Sequence, residues 1–395
     1  MKNKEEQTAP KLRFKGYTDA WQQHKLSDIA NIIGGGTPST KNLSYWSGDI
    51  NWYSPSEIGS SVYVNSSKIK ISENGLKHSS AKLLPGNRTI LFTSRAGIGN
   101  MAIMKTDGTT NQGFQSWIID PLKTNIYFLY SMGNLIKKEA LKKASGSTFL
   151  EISNSEVKKL EIKFPSKPEQ DKIGELLSKL DKVVTLLQRK EEKYKTIKKS
   201  LLQNLFPEKN QIVPTLRLKG FNDDWQRRKL SEIVKTTIGE FIIKSKQKED
   251  SPYPVYNGGT SYTGFYDNYN NCGDKIIISA RGANAGFVNI VRQKYWAGNS
   301  CYSLSIINNQ EVDLDYLYQM LKQKQHLFTD FQQAANIPSV SKKDVETFEI
   351  CTSSFEEQKK IGLFLTKLDS LIVFLQKRIT TFSNLKKFLL QNMFI

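Results

Sequence analysis

Cysteine is scarce: the 395-residue chain has three, Cys272, Cys301 and Cys351. Their number and scatter exclude a disulfide framework and a zinc site, and leave them as small buried hydrophobes. Long apolar runs are missing as well. No stretch of about 18 apolar residues occurs, and Met1 to Pro10 is polar and charged, without the apolar core of a signal peptide. The expectation is a soluble, cytoplasmic protein. The three histidines, His24, His78 and His326, fall in no triad or metal-ligand spacing. The stretch Gly34-Gly35-Gly36-Thr37-Pro38-Ser39-Thr40-Lys41 has glycines and a lysine but not the spacing of a phosphate loop, and it reads as an ordinary loop. No glycine-rich loop of dinucleotide or S-adenosylmethionine type is found. Glu161-Ile162-Lys163 imitates the Glu-x-Lys of a metal-dependent nuclease, yet its counterpart Glu349-Ile350-Cys351 lacks the lysine, which favours a structural strand before a helix. No catalytic residue and no metal site is assigned.

Acidic residues are also short. Against 57 Lys and Arg stand 38 Asp and Glu, a formal charge of +19. Such an excess points first to nucleic acid, then to an anionic membrane surface, and otherwise only to solubility. With 38% hydrophobic content the length suits two or three domains.

What the chain does have is a repeat. Pro10 to Ile29 recurs as Pro214 to Ile233 at an offset of 204, with Pro10, Leu12, Arg13, Lys15, Gly16, Asp19, Trp21, Gln22, Lys25, Leu26, Ser27 and Ile29 matched. A second set recurs at an offset of 188. There Gln170, Ile173, Gly174, Lys179, Leu180, Asp181, Leu187 and Gln188 return as Gln358, Ile361, Gly362, Lys367, Leu368, Asp369, Leu375 and Gln376. Leu201-Leu202-Gln203-Asn204 returns as Leu389-Leu390-Gln391-Asn392. Between these segments lie two stretches with little mutual resemblance, Ala30 to Leu160 and Val234 to Thr347. The frame is duplicated and the contents are not. Both contents are rich in turn residues and short β-type runs such as Arg88 to Thr93 and Lys275 to Ser279. Each reads as a compact mixed domain ending in a helix, about Ile126 to Lys143 and about Leu314 to Gln333, then a short strand.

Glu169 to Phe206 carries an apolar stripe with the four-three spacing of a coiled-coil seam: Ile173, Leu177, Leu180, Val184, Leu187, Tyr194, Leu201 and Leu205, interrupted by Glu191 and Lys198. The later copy has Ile361, Leu365, Leu368, Ile372, Leu375, Ile379, Phe382, Leu389 and Met393, interrupted by Lys386. Each stripe suits either a helix lying on a globular core or a seam between the two copies. The repeat favours the seam. Pro207 to Pro214 is a short connection, and a continuous first helix is some 55 Å long at about 1.5 Å per residue. The second helix then runs back along the first, and the expected shape is a dumbbell with approximate two-fold symmetry.

Both heads concentrate residue types that read or hold a DNA duplex. The candidates are Ser54, Ser56, Thr93, Ser94, Arg95, Asn111 and Gln112 in the first, and Asn257, Thr260, Tyr262, Arg281, Asn284 and Asn299 in the second. For any one of them the competing reading is that its side chain merely stabilises a turn. Ser94-Arg95-Ala96-Gly97 aligns with Ala280-Arg281-Gly282-Ala283, which suggests one loop used twice. Lys137-Lys138, Lys142-Lys143, Lys158-Lys159 and Lys198-Lys199 suit phosphates or a solvated helix face. Two unlike heads on a rod imply a split target with unlike halves.

The duplicated lead, the Gly35-Gly36-Thr37-Pro38-Ser39 and Tyr253-Pro254-Val255-Tyr256-Asn257-Gly258-Gly259 segments, and the ends Leu201 to Phe206 and Leu389 to Phe394 resemble the specificity subunits of type I restriction-modification systems. The resemblance covers nearly the whole chain. It implies an α+β fold: two mixed α/β target recognition domains separated by a long antiparallel two-helix coiled coil, with a pseudo-two-fold internal repeat. The boundaries would be 1–160 and 208–347 for the two domains, 161–207 and 348–395 for the spacer helices. It implies double-stranded DNA as ligand, two docked modification (methyltransferase) subunits, and restriction subunits with translocase and nuclease activity. S-adenosylmethionine, ATP and Mg would sit on those partners, with no cofactor and no membrane for this chain. A frame presented twice suits two copies of one partner. The docking candidates are Trp21, Gln22, Gln203, Asn204, Trp225, Gln226, Gln391 and Asn392, with a shared fold requirement as the competing explanation of their recurrence. A non-enzymatic scaffold whose heads bind protein or structured RNA is the alternative function, and a self-contained nuclease a third.

Overall fold

The computed structural model describes residues 8–146, 150–208, 211–329 and 338–395. Two compact units emerge, residues 1–187 with 378–395, and residues 188–377.

In the first unit, Gln22–Lys25 pairs antiparallel with Glu161–Phe164. Along the latter strand Ile162 and Phe164 turn inward while Glu161 stays exposed, the period-two pattern of a half-buried strand. The strand expected before the long helix is therefore present, and Glu161 and Lys163 belong to a ribbon. A five-stranded sheet follows, in the order Ala30–Gly34, Gln115–Ile119, Thr89–Phe92, Met101–Met104, Tyr63–Val64. Its pairings are antiparallel except the last, which is parallel. Every residue of Thr89–Phe92 and Met101–Met104 is buried, so both faces of the sheet are covered. Ile90, Phe92, Met101 and Ile103 join the core around Phe128 and the helices. Leu91, Ala102 and Met104 face a second core with Tyr53 and Phe114. A three-stranded sheet, Ile69–Ile71, Ile50–Tyr53 and Gly108–Thr110, has one antiparallel and one parallel pairing.

The second unit repeats this plan. Gln226–Lys229 pairs with Glu349–Thr352. The larger sheet runs Val234–Ile238, Cys301–Ile306, Lys275–Ser279, Val288–Val291, all antiparallel. The smaller runs Gly264–Tyr266, Tyr253–Tyr256, Trp296–Ala297, again with one antiparallel and one parallel pairing. Apart from the parallel edge strand Tyr63–Val64, which the second head lacks among the described residues, the strand order of the heads is duplicated, which corrects the expectation that only the frame is. Pairing register tolerates almost complete exchange of side chains as long as inward and outward positions alternate correctly, so the common plan left few residue identities to find.

The long helices are Lys167–Leu205, 39 residues, and Phe355–Asn392, 38 residues. Segments of both meet inside each unit. In the first, Ile173, Leu177 and Leu180 share a core with Leu389, Met393 and Phe394. In the second, Leu201, Leu205 and Phe206 share one with Ile361, Leu365 and Leu368. The polar contacts Glu191 to Gln376 and Lys198 to Asp369 step in opposite directions along the two helices, so the pairing there is antiparallel. Lys386 and Lys198, which interrupt the seam in sequence, each meet the repeat-related aspartate, Asp181 and Asp369. Asp181 also accepts the Tyr127 hydroxyl, and Asp369 accepts Gln319 Nε2 at 2.7 Å, which ties each seam to a head helix.

Other recurrent polar residues hold helix starts. Gln170 Oε1 accepts the Asn125 N–H at 3.0 Å, and Gln358 Oε1 accepts the Asp313 N–H at 3.1 Å. Asn125 and Asp313 in turn cap the helices that follow, accepting from the N–H of Phe128 and Tyr316. Gly174 and Gly362 lie against these caps. A Cβ on them would come within 2.4 Å of Asn125 Oδ1 and 2.5 Å of Asp313 Oδ1. The single helix expected over 126–143 breaks into Ile126–Ser131 and Gly133–Lys143, and the one expected from Leu314 is Leu314–Lys324 followed by His326–Thr329. The remainder of the latter expectation, 330–333, lies outside the described residues.

Candidate nucleic-acid interface

Four loops converge at one end of the sheets in each head, held by the same backbone bonds. In the first head the Gly35 and Gly36 N–H groups donate to Phe114 and Thr110 carbonyls. In the second, Gly239 and Glu240 donate to Cys301 and Ala297. Asn111 N donates to Tyr53 O as Gly298 N does to Tyr256 O, at 3.0 and 2.8 Å. Ser94 N donates to Gly113 O and accepts on its carbonyl from Ile152 N; Ala280 N donates to Ser300 O and its carbonyl accepts from Val340 N. Ser94-Arg95 and Ala280-Arg281 are therefore structural counterparts. Close approach makes glycine necessary at Gly35, where a Cβ would lie 1.8 Å from Asn111 O, and at Gly239, 2.1 Å from Ala297 O.

The candidate readers are brought together by this arrangement, but not all of them face outward. Thr93 and Ser94 are fully buried. Thr93 Oγ1 donates to Gly97 O at 2.6 Å and accepts from Asn100 N at 2.9 Å, bracing the loop. Neither side chain is presented at the surface, because both follow a strand whose residues are all interior. Ser54 is half-buried and donates to Glu57 Oε2 at 2.9 Å in a short capping motif. Asn111 Oδ1 accepts Gly113 N at 2.9 Å, and Asn257 Oδ1 accepts Ser300 N at 2.9 Å, so each spends its carbonyl oxygen on a neighbouring turn and keeps its amide NH2. Ser56, Arg95, Gln112, Thr260, Tyr262, Arg281 and Asn284 are exposed; Asn299 is half-buried. Arg95 pairs with Glu151 at 3.0 Å, both partners well exposed, a contact weak enough to be exchanged for a phosphate or base. Its loop turns through the left-handed region: Ala96 has φ of 49° and Gly97 of 105°. A non-glycine residue in the left-handed region costs on the order of 1 kcal/mol, and such strain gathers at functional sites.

Sequence reasoning missed Thr37, whose hydroxyl bonds Gln112 across two loops, and the exposed Phe241, in the loop that follows Glu240. A contact between residues 75 apart leaves no local pattern. Several lysines of the proposed phosphate track are engaged within the protein: Lys137 with Asn100, Lys142 with Glu139, Lys143 with the Lys159 carbonyl, Lys198 with Asp369. Lys138, Lys158 and Lys199 are exposed.

Two docking candidates are corrected. Trp21 and Trp225 are buried, stacked edge-on against Phe128 and Tyr316 respectively, so their recurrence follows from the fold. Asn204 and Asn392 end their helices by bonding back to Ser200 O and Phe388 O, and their own carbonyls accept Leu216 N and Leu12 N. The first and second leads thus each meet a helix end from the other repeat. Gln22, Gln203, Gln226 and Gln391 are exposed.

Among the described residues no helix is long and apolar enough to cross a membrane, and no cluster of His, Cys, Asp and Glu could hold a metal ion. The chain is 36% identical over 228 residues to the MjaIX specificity subunit of Methanocaldococcus jannaschii, an alignment covering 55% of this chain and 52% of that one. It is 24% identical to the EcoprrI specificity subunit of Escherichia coli, covering 88% and 87%. A crystal structure of a type I restriction-modification S subunit from M. genitalium superposes over 98% of this chain and 99% of that one, with a TM-score of 0.71 at 19% identity. Residues 18–196 and 222–381 each match the type I restriction modification DNA specificity domain, and the chain belongs to that family.

Proposed function

We propose that each head reads one half of an asymmetric, bipartite DNA duplex through its four converging loops, and that the duplicated frame docks two modification methyltransferase subunits. The observation that carries this reading is one loop scaffold built twice, with an arginine common to both heads, Arg95 and Arg281, and different side chains beside it: Ser56 and Gln112 in one head, Thr260 and Asn299 in the other. A fixed backbone presents donors and acceptors at set heights, and exchange of the outward residues changes which base edges they satisfy. The net charge of +19 supplies the sequence-independent attraction, so affinity falls steeply with salt. Gln22, Gln203, Gln226 and Gln391 are the residues left for docking, since they recur and are exposed. In this reading the chain performs no catalysis. S-adenosylmethionine, ATP and Mg belong to the modification and restriction subunits.

The test is a genome-wide map of methylated adenines in cells carrying the modification subunit, with and without this chain. A single split motif that appears only with the chain is the expected result. An unchanged methylome beside a competent partner would refute the recognition role and favour the scaffold that binds protein or RNA.

A further inference from the structure

In both heads a lysine from an eleven-residue head helix reaches the base of the arginine-bearing loop, and it does so from positions the repeat does not equate. Lys137, in Gly133–Lys143, places Nζ 3.3 Å from Asn100 Oδ1. Asn100 closes the loop 93–100: its N–H meets Thr93 Oγ1 at 2.9 Å and its carbonyl accepts Thr93 N at 3.0 Å. The lysine stem lies so close to Gly99 that a Cβ there would come within 2.5 Å of Lys137 Cγ. In the second head Lys322, in Leu314–Lys324, donates to Val288 O at 2.7 Å and to Gln325 Oε1 at 3.1 Å, and its ammonium sits 3.5 Å from the Phe287 ring centre. Gln325 Oε1 also accepts Val288 N at 3.2 Å. Phe287 and Val288 close the loop 279–287, through Ser279 N to Phe287 O. The residue that the 188 offset sets against Lys322 is Asn134, one helical turn before Lys137, so the two heads arrive at the same contact independently.

We infer that Lys137 and Lys322 are positioning residues that fix the loops carrying Arg95 and Arg281, and so set how sharply each half of the DNA target is discriminated. This rests on the recognition role proposed above. Neither lysine touches DNA in this scheme. A base edge discriminates only when its reader is held to a fraction of an ångström, and a charged clamp on the loop's hinge supplies that constraint from the rigid helix. The loops themselves stay exposed at their tips, where Arg95, Arg281 and Asn284 stand.

The experiment maps methylated adenines in cells expressing the full chain with its modification subunits, comparing wild type, Lys137→Met, Lys322→Met and, as a surface control outside every candidate set, the exposed Lys123→Met. Lys137→Met is expected to blur the bases of one half of the motif only and Lys322→Met those of the other half only. Methylation at sites with one wrong base should rise about tenfold in the affected half, the effect of losing one charge-assisted hydrogen bond. Lys123→Met should leave the motif intact. Should a lysine variant fail to accumulate, Asn100→Ala removes the acceptor of Lys137 and Gln325→Leu the side-chain acceptor that Lys322 shares with Val288 N, and each should blur the same half as its lysine variant. Full discrimination in both halves for the clamp variants, or equal blurring of both halves by one variant, would overturn the inference. A wild-type complex that writes no split motif would refute the recognition role itself.

Discussion

Arg13→Met should be among the most damaging single substitutions outside the apolar core. Glu169 is completely buried, and both its oxygens are taken by one guanidinium: Arg13 Nε to Oε1 at 2.9 Å and Nη2 to Oε2 at 2.7 Å. The pairing raises the Arg13 guanidinium above its usual range, chiefly through the hydrogen bond to Glu169. Removing the arginine leaves an uncompensated carboxylate in the interior, a loss of about 3–5 kcal/mol. The duplicate pair is a built-in comparison. Arg217 grips Glu357 in the same way, at 2.9 Å for both bonds, but there Trp225 Nε1 also donates, at 3.2 Å. The corresponding Trp21 Nε1 has no partner among the described residues. Arg217→Met therefore leaves one donor in place and should cost less than Arg13→Met by about 1 kcal/mol. Urea unfolding of both variants, followed by hydrogen exchange to locate the loss in residues 8–29 and 161–180 or their counterparts, measures this. An Arg13→Met loss below about 1 kcal/mol, or a larger loss for Arg217→Met, would refute the reasoning. The double variant Arg13→Met with Glu169→Leu should recover most of the stability, because a buried pair exchanged for apolar groups costs little.

Four further outcomes are expected. Gly174→Ala and Gly362→Ala place a methyl against a cap at 2.4–2.5 Å, so each should destabilise by about 1–3 kcal/mol although alanine favours helices; thermal melts that rise instead would contradict it. Lys386→Leu leaves Asp181 with the Tyr127 hydroxyl alone and should cost about 1–3 kcal/mol in urea titrations, whereas exchange of both Lys386 and Asp181 for leucine should be nearly neutral. Burial, with Lys198 nearby, depresses Lys322 to about 8 against the opposing pull of Asp369. A folded pKa below the unfolded value of about 10.4 means the unfolded chain binds more protons in between, so stability should rise from about pH 8 to 10, a slope that Lys322→Met flattens in pH-dependent melts. Gly239→Ala should spoil one half of the methylated motif and Gly35→Ala the other, because both force apart the loops they join; intact motifs would show the loops to be irrelevant to reading.

Much of the frame was legible because a repeat is a comparison contained in one chain. Gln170, Gly174, Asp181 and their counterparts stood out at a fixed offset, and each proves to contact a helix cap or a seam lysine. The seam's polar interruptions, Lys198 and Lys386, were visible, but their partners lie 171 and 205 residues away, a distance periodicity does not span. The heads were opaque for a different reason. Strand pairing constrains alternation, not identity, so Thr89–Phe92 and Lys275–Ser279 share a place in the fold with little shared sequence. Residue type alone also misplaced Thr93 and Ser94, since hydroxyls brace loops as readily as they meet DNA.

The contact of Leu12 N with Asn392 O at 2.9 Å has a consequence for synthesis. The second unit is one continuous run, 188–377, while the first is completed only by 378–395. On the ribosome, Trp21, Phe128, Ile173 and Leu177 must therefore wait for Leu389, Met393 and Phe394 until the 190 residues of 188–377 have been made. At roughly 5–20 residues per second that is about 10–40 s of exposed apolar surface on the half made first. The order of manufacture is the reverse of the order of completion, and the nascent first unit is the stage at which chaperone holding matters most.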